Sequence, residues 1–127
     1  MKHGEGIYDH HNGDRYEGDM KEGFRCGYGK FYYINGDRYE GQFKNDERCG
    51  KGFYYYEHGG RYVGEWKHNK EHGQGILYAS DGDRYEGIWE NGQRVGKGMY
   101  FHPDGTKEQV INPEPEDAAD PNEISNN

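Results

Sequence analysis

The chain has 127 residues, only two of them cysteine, and a net charge of −8 at pH 7, a balance that argues against a general nucleic-acid binder, which needs clustered positive charge. No apolar run approaches membrane-spanning length, and residues 1–15 lack the apolar core of a signal peptide. The length predicts one domain without a large buried core, and two cysteines in such a chain indicate a reduced, intracellular protein.

Tyrosine and glycine recur with a period of 23 residues through most of the chain. The tyrosine column consists of Tyr16, Tyr39, Tyr62 and Tyr85, each followed two residues later by a glycine. A Gly-x-Gly pair repeats in the same phase, at Gly4/Gly6, Gly27/Gly29, Gly50/Gly52, Gly73/Gly75 and Gly96/Gly98. Self-similarity at a fixed period indicates a stacked repeat architecture.

Each repeat predicts one β-hairpin. In residues 27–44, two aromatic-rich runs flank Asn35-Gly36, a strong hairpin signal because both turn residues are expected to adopt positive φ. The equivalent dipeptides are Asn12-Gly13, Gly59-Gly60, Asp81-Gly82 and Asp104-Gly105. The sequence therefore predicts an all-β fold: an elongated, single-layer, twisted antiparallel sheet of five consecutive hairpins that start near residues 4, 27, 50, 73 and 96, forming an open repeat rod.

A two-residue turn also predicts the register of each hairpin. The expected pairs are Tyr39 with Tyr32, Tyr62 with Tyr55, Tyr85 with Tyr78, Phe53 with Gly64 and Ile76 with Gly87. Aromatic cross-strand pairs, and large residues packed over glycine, would then stabilise the single layer.

The second strand of each hairpin alternates between large apolar and charged residues. One face would carry the tyrosine column together with Met20, Phe43, Trp66 and Trp89, while the other would be mostly charged. In the fifth hairpin Glu108, Val110 and Asn112 replace the tyrosine, the glycine and the large apolar residue, as expected for a terminal cap. We therefore expect a repeat domain over 1–111 and an acidic, proline-containing disordered tail over 112–127.

The segment Tyr16–Phe31 resembles the membrane occupation and recognition nexus (MORN) repeat, a pattern of Tyr-x-Gly-x-Trp/Phe followed by His-Gly-x-Gly. Residues 72–75 and 85–89 fit this pattern closely, and the match extends from residue 3 to about 107. The resemblance implies an elongated grooved sheet with a non-catalytic scaffolding role. Members include radial-spoke and other ciliary components, membrane tethers, cytoskeletal scaffolds and accessory regions of enzymes. The chain resembles the stand-alone scaffolds, which implies a cytoplasmic place in a cytoskeletal, ciliary or axonemal assembly.

A histidine and cysteine column offers a possible metal site. It consists of His3, Cys26, Cys49 and His72. Equivalent residues of successive hairpins lie two strands apart, about 9.5 Å, whereas a tetrahedral zinc needs its ligands within about 2.3 Å of one point. The same spacing disfavours a disulfide between Cys26 and Cys49. We therefore predict no metal site within one chain, while a shared site or a disulfide across a dimer stays open.

Enzymatic chemistry is not expected. The Gly-x-Gly pairs open strands, and no helix follows them to receive a phosphate. The histidines and carboxylates recur by repeat and do not converge in a pocket. We predict no cofactor and no enzymatic activity.

Binding of anionic phospholipid is possible but disfavoured by charge. The cations of the inter-hairpin links are Lys21, Arg25, Lys44, Arg48, Lys67, Lys70 and Arg94. Acidic residues lie among them and offset most of their charge, whereas an adequate patch has about four to eight cations together. A peripheral membrane tether remains one alternative, and a regulatory subunit of a separate enzyme another.

A protein-binding groove is the favoured hypothesis. The expected partner-binding residues are Tyr39, Phe43, Tyr62, Trp66, Tyr85 and Trp89. Rigid aromatic side chains anchor a peptide at low entropic cost, although the same rings could serve only as the core of the sheet. The open edge strands of the first and last hairpins also suggest a possible homodimer.

Overall fold

The computed structural model describes residues 4–113, which form one open antiparallel sheet of ten strands in consecutive order. The strands are β1 (Gly4–Asp9), β2 (Arg15–Lys21), β3 (Phe24–Tyr32), β4 (Arg38–Lys44), β5 (Glu47–Tyr55), β6 (Arg61–Lys67), β7 (Lys70–Tyr78), β8 (Arg84–Glu90), β9 (Gln93–Phe101) and β10 (Lys107–Asn112). The predicted sheet of five consecutive hairpins is confirmed. A tail was predicted over residues 112–127. Asn112 ends β10, and the part of the predicted tail from Glu114 onward lies outside the described residues. No helix in the described part of the chain is long and apolar enough to cross a membrane.

The tips of the hairpins are three-residue loops, so the predicted two-residue turn was wrong. In the second hairpin Tyr33 N donates to Asp37 O at 3.0 Å, and Gly36 N donates to Tyr33 O at 2.9 Å. Only Gly36 has positive φ, at 101°, while Asn35 accepts a hydrogen bond from Asp37 N through its side chain. This is the geometry of a type I turn followed by a left-handed residue, for which glycine is favoured.

The longer loop shifts the register by one residue, and the five predicted cross-strand pairs were therefore wrong. Tyr39 pairs with Phe31, and Tyr32 pairs with Arg38. Phe53 pairs with Val63 and Gly52 with Gly64, so large residues do not oppose the glycines. Because strand residues alternate between faces, this shift moves Tyr32, Tyr55 and Tyr78 to the face opposite the tyrosine column. We call the face that bears Tyr16, Tyr39, Tyr62 and Tyr85 the aromatic face.

The inter-hairpin links are the true two-residue turns with both residues at positive φ. Lys44 pairs with Glu47 across the link Asn45-Asp46, whose φ values are 50° and 75°. Lys67 pairs with Lys70 across His68-Asn69, with φ values of 51° and 68°. The sheet is thus a continuous meander with two alternating kinds of turn.

Contacts at both ends of the strands join one hairpin to the next. At the loop ends, Asp14 Oδ1 accepts a hydrogen bond from Ile34 N at 2.8 Å, and Asp37 Oδ1 accepts one from Glu57 N at 2.9 Å. At the link ends, Asp46 N donates to Arg25 O at 3.0 Å. Each hairpin therefore aligns its neighbour, which explains how a single layer is held in a regular stack.

Candidate functional site

All six residues predicted to bind a partner lie on the aromatic face, and all six are buried. Their exposed fractions are 0% for Tyr39 and Tyr62, 1% for Tyr85, 4% for Trp89, and 5% for Phe43 and Trp66. These side chains form the core cluster of the sheet together with Tyr16 and Phe31. They therefore lie beneath the side chains that meet solvent on this face.

The buried rings form a continuous edge-to-face row, which we call the ring row. Its members are, in spatial order, Tyr16, Phe43, Tyr39, Trp66, Tyr62, Trp89 and Tyr85. Neighbouring centroids are 5.1–5.5 Å apart with interplanar angles of 78–87°. Perpendicular rings bring a positive edge to a negative face, the favoured geometry for aromatic pairs. The row ends at Tyr85, whose Oη accepts a 2.6 Å hydrogen bond from Asn112 Nδ2.

The second glycine of four Gly-x-Gly pairs makes room for a tyrosine of the ring row; these are Gly29, Gly52, Gly75 and Gly98. The Tyr39 ring lies against Gly52 so closely that a Cβ there would overlap the ring and its hydroxyl. Tyr39 Oη donates to Gln42 O at 2.9 Å, which fixes the ring across the backbone. The second glycines are thus explained by packing, as expected where a ring lies flat on a strand, whereas the first glycines Gly27, Gly50, Gly73 and Gly96 have positive φ.

An outer layer of half-buried side chains covers the ring row and forms the surface of the aromatic face. Its members are Arg25, Tyr33, Arg48, Tyr54, Tyr56, Arg94 and Tyr100. Three of the tyrosines contact one another in tilted arrangements: the Tyr33 and Tyr54 ring centroids are 5.7 Å apart, and those of Tyr54 and Tyr56 are 4.9 Å apart. The outer layer is therefore a second aromatic surface, and it is the one that meets solvent.

Arginines hold the outer layer against the ring row. The guanidinium carbon of Arg25 lies 4.7 Å from the centroid of Phe31, and that of Arg48 lies 4.8 Å from Trp66. Arg48 Nη1 also donates to Tyr33 Oη at 3.0 Å, and Arg25 Nε forms a 2.7 Å ion pair with Asp46. These two cations are thus engaged with rings and with link residues.

Burial changes the acidity of the outer tyrosines. Loss of hydration raises the pKa of Tyr56 to about 12, with a further contribution from the nearby Glu71 carboxylate. The pKa of Tyr54 is also raised, first by burial and then by its 2.8 Å hydrogen bond to Asp37. Both hydroxyls therefore stay protonated at neutral pH and act as hydrogen-bond donors on this face.

A shallow depression of about 360 Å³ lies on the aromatic face of the first three hairpins. Its lining includes Arg25, Phe31, Tyr33, Arg48 and His10. It combines aromatic surface, guanidinium groups and polar turn atoms, which suits a polypeptide better than a purely apolar ligand.

The opposite face carries a different chemistry. Its apolar residues include Phe53, Val63, Ile76 and Ile88, which line an open groove of about 580 Å³ whose rim bears Lys51 and Lys97. Beside this groove, arginines lie over rings of the neighbouring strand: Arg38 over Tyr55 at 4.2 Å, Arg61 over Tyr78 at 4.0 Å and Arg84 over Phe101 at 4.0 Å. The mostly charged face expected from the sequence thus has an apolar strip at its centre.

The histidine and cysteine column does not converge. Cys26 and Cys49 are free, half-buried thiols on successive hairpins, and burial raises the pKa of Cys49. His72 Nδ1 lies 3.3 Å from Asn91 N, and His3 lies outside the described residues. Within residues 4–113 no group of three or more His, Cys, Asp or Glu side chains is arranged to hold a metal ion.

The outer layer was not predicted from the sequence. Its tyrosines belong to two repeat columns that the sequence analysis assigned to no face: Tyr54 and Tyr100 lie near the ends of β5 and β9, and Tyr33 and Tyr56 lie just beyond β3 and β5. The arginine column was read as a possible lipid contact. Its signal was present, since arginine recurs beside aromatic residues in the same repeat phase.

The comparisons with known proteins agree with this geometry. The family model described as the MORN repeat matches five consecutive segments, at residues 1–15, 16–38, 39–61, 62–84 and 85–107. A search of curated proteins finds no match. The model divides the chain at the tyrosine, so each of the four segments from residue 16 onward joins the second strand of one hairpin to the first strand of the next, while residues 1–15 contain β1. This repeat is a non-catalytic scaffold that generally mediates protein or membrane interactions. With matched segments over residues 1–107 and a ten-stranded meander built from them, the chain belongs to the MORN repeat family.

Proposed function

We propose that this protein is a non-enzymatic scaffold that binds a segment of a protein partner along its aromatic face. The observation that carries the proposal is the outer layer, in which half-buried tyrosines and arginines lie over a fully buried ring row. Tyrosine and arginine are the residue types that dominate binding energy at protein interfaces. The buried floor supports their positions, so little conformational entropy is lost when a partner binds.

The sequence analysis predicted that six residues of the ring row bind a partner. In this proposal they form the buried floor beneath the binding surface. Tyr39 and Tyr62 have no exposed surface, so a partner would reach them only through the outer layer. Direct contact would come from Tyr33, Tyr54 and Tyr56, with Arg25 and Arg48 between them.

A cytoskeletal or ciliary assembly is the proposed setting, and it rests on the family resemblance alone. The peripheral membrane tether is the main rival. The engagement of Arg25 and Arg48 with rings and link residues favours the protein-binding alternative.

The test is affinity purification of the chain from cells that express it, followed by identification of the proteins and lipids that co-purify. The informative variant is Tyr54→Ala combined with Tyr56→Ala, because both side chains are half-buried. Substitution of the fully buried Tyr62 would instead unfold the sheet. The matched control is Phe53→Ala combined with Tyr28→Ala, which removes two exposed rings, at 40% and 56% exposure. Circular dichroism must show that both double variants are folded.

We expect the aromatic-face variant to lose specific protein partners and the control variant to retain them. Partners that are lost only with the control would place binding on the opposite face and contradict the proposal. Recovery of membrane lipid in place of proteins would favour the tether.

A further inference from the structure

A row of cations crosses the opposite face near the loop ends of the strands, and we call it the basic row. Its members are the equivalent residues of the five hairpins: Arg15, Arg38, Arg61, Arg84 and Lys107. A ring separates each cation from the next; Tyr78, for example, pairs with both Arg61 and Arg84. Neighbouring strands are about 4.8 Å apart, so successive cations of the row are about 9.6 Å apart.

Two members of the basic row have no carboxylate partner. Arg38 and Arg84 each form a 2.8 Å ion pair with the glutamate two residues later. In the third hairpin Val63 takes the place of that glutamate, and the Arg61 side chain is exposed. Lys107 is exposed as well, and neither Arg61 nor Lys107 forms an ion pair within residues 4–113. The basic row can therefore accept further carboxylates.

An open apolar strip lies beside the basic row. Phe53, Val63 and Ile76 are paired across three successive strands, and Phe53 is 40% exposed. These three residues line the groove of about 580 Å³ on this face. Val63 stands two residues after Arg61 on β6, so the cation and the apolar strip are about 7 Å apart along the strand. The surface thus offers a cation and an apolar contact side by side.

The acidic tail carries the complementary charge. Residues 114–127 hold five carboxylates and no lysine or arginine, and four of the carboxylates fall on every third residue: Glu114, Asp117, Asp120 and Glu123. The polyproline II conformation, which Pro115 and Pro121 favour, has three residues per turn and a rise of about 3.1 Å per residue. Carboxylates on every third residue would then project from one side at intervals of about 9.3 Å. This interval agrees with the spacing of the basic row.

The tail is also long enough to reach the basic row. β10 runs from Lys107 to Asn112, so the tail starts about 17 Å along the strand from Lys107. The five residues from Pro113 to Asp117 span about 17 Å when extended, which would bring Asp117 back to Lys107. Each further step of three residues would reach the next cation of the row. The resulting pairs are Asp117 with Lys107, Asp120 with Arg84 and Glu123 with Arg61.

We propose that the acidic tail lies across the opposite face, with its every-third carboxylates on the basic row and Ile124 on the apolar strip. Ile124 is the one large apolar residue among residues 114–127, and it follows Glu123 directly. Exposed ion pairs are individually weak, but a tethered segment has an effective concentration of about millimolar, which favours several pairs at once. The docked tail covers the strip and leaves the aromatic face open. This inference goes beyond the proposed function and does not depend on it.

The first experiment is NMR spectroscopy of the full ¹³C,¹⁵N-labelled chain at low salt. We expect nuclear Overhauser contacts from the Ile124 methyl groups to those of Val63 and Ile76. These contacts should weaken between about 0.01 M and 1 M salt, because the Debye length falls from about 30 Å to about 3 Å.

A variant of unchanged composition tests the spacing of the carboxylates. It combines four substitutions that move two carboxylates off the third-residue series: Ala118→Asp, Asp120→Ala, Asn122→Glu and Glu123→Asn. Net charge, length and Ile124 are retained, so a contact that depends only on charge would persist. We expect the contacts of Ile124 with the strip to be lost.

A charge exchange tests the innermost pair. Arg61→Glu should abolish the contacts of Ile124, and Glu123→Arg added to it should restore them. Arg15→Glu is the matched control, because it makes the same change in the same row about 19 Å beyond Arg61, which the four residues after Glu123 do not span. The control should leave the contacts unchanged.

Absence of contacts between Ile124 and the strip at low salt would overturn the inference. Contacts that persist in the variant of unchanged composition, or a charge exchange that fails to restore them, would overturn it as well. A mixed sample of labelled and unlabelled chains decides between one chain and two: contacts that form only between copies would show that the tail binds a second copy, which contradicts docking within the chain.

Discussion

At the scale of single residues, glycine and tyrosine act as one packing unit. Tyr39 lies across Gly52 while Phe43 and Trp66 pack against it edge-to-face at 5.1 and 5.5 Å. The ring is confined on all sides, so it cannot move away from an added methyl group. The sequence predicted that glycines let rings lie on the backbone, and the structure shows which ring lies on which glycine.

Substitution of Gly52 tests this unit. Gly52→Ala should lower the free energy of unfolding by about 2–3 kcal/mol, because its Cβ overlaps the Tyr39 ring and overpacking costs about 1–3 kcal/mol. Urea unfolding followed by tryptophan fluorescence measures the change. Gly105→Ala is the control, since a Cβ there meets nothing within 4 Å and only its φ of 93° is unfavourable, at about 1 kcal/mol. Equal losses in the two variants would contradict the close-packing explanation.

At the scale of elements, the loops do more than reverse the chain. Asp37 accepts hydrogen bonds from Tyr54 Oη at 2.8 Å and from Glu57 N at 2.9 Å, both on the third hairpin. In the next hairpin Gly60 replaces the aspartate, so this form of contact is lost at the boundary between the third and fourth hairpins. Neighbouring hairpins are therefore coupled by side chains whose role appears only in the stack.

Removal of one such contact should loosen the stack. Asp37→Ala should destabilise the protein by about 1–3 kcal/mol, because it leaves the Tyr54 hydroxyl without its acceptor. Asp81→Ala is the comparison: Asp81 Oδ1 accepts a bond only within its own loop, from Asp83 N, so its loss should be smaller. Thermal unfolding of both variants measures the difference. A greater loss with Asp81→Ala would show that the loops do not couple the hairpins.

At the scale of the whole molecule, tyrosines whose pKa is raised by burial recur through the first three hairpins. The pKa is raised by burial for Tyr16, Tyr33, Tyr39, Tyr54, Tyr56 and Tyr62. The unfolded chain ionises its tyrosines at about pH 10, whereas the folded chain keeps these six protonated to higher pH. Their contribution to stability is therefore complete below about pH 10 and is lost as pH rises through the folded pKa values.

The fold should consequently be sensitive to alkali. We expect the free energy of unfolding to fall steeply between about pH 10 and pH 12, because the unfolded state releases several protons that the folded state retains. Urea unfolding at a series of pH values measures the slope. Tyr39→Phe should make the slope shallower, because it removes one of the protons that the folded state retains. A slope that is the same with and without Tyr39 would contradict the assignment.

The sequence by itself determined the repeat, the all-β class, the number of hairpins and the family, because a 23-residue period fixes which residues are equivalent before any contact is known. It also identified the six large rings of the aromatic face, since strand alternation places them on one side. What it did not determine was the register, because an Asn-Gly pair fits both a two-residue and a three-residue loop.

Only the tertiary structure decided which side chains meet solvent on the aromatic face. Tyr54 and Arg48 lie over Trp66 of their own hairpin, and because successive hairpins stack closely, Arg48 also lies 5.8 Å from the Tyr39 ring of the preceding hairpin. Local patterns specify elements and faces, whereas contacts between residues about 20 positions apart exist only once the repeats are stacked.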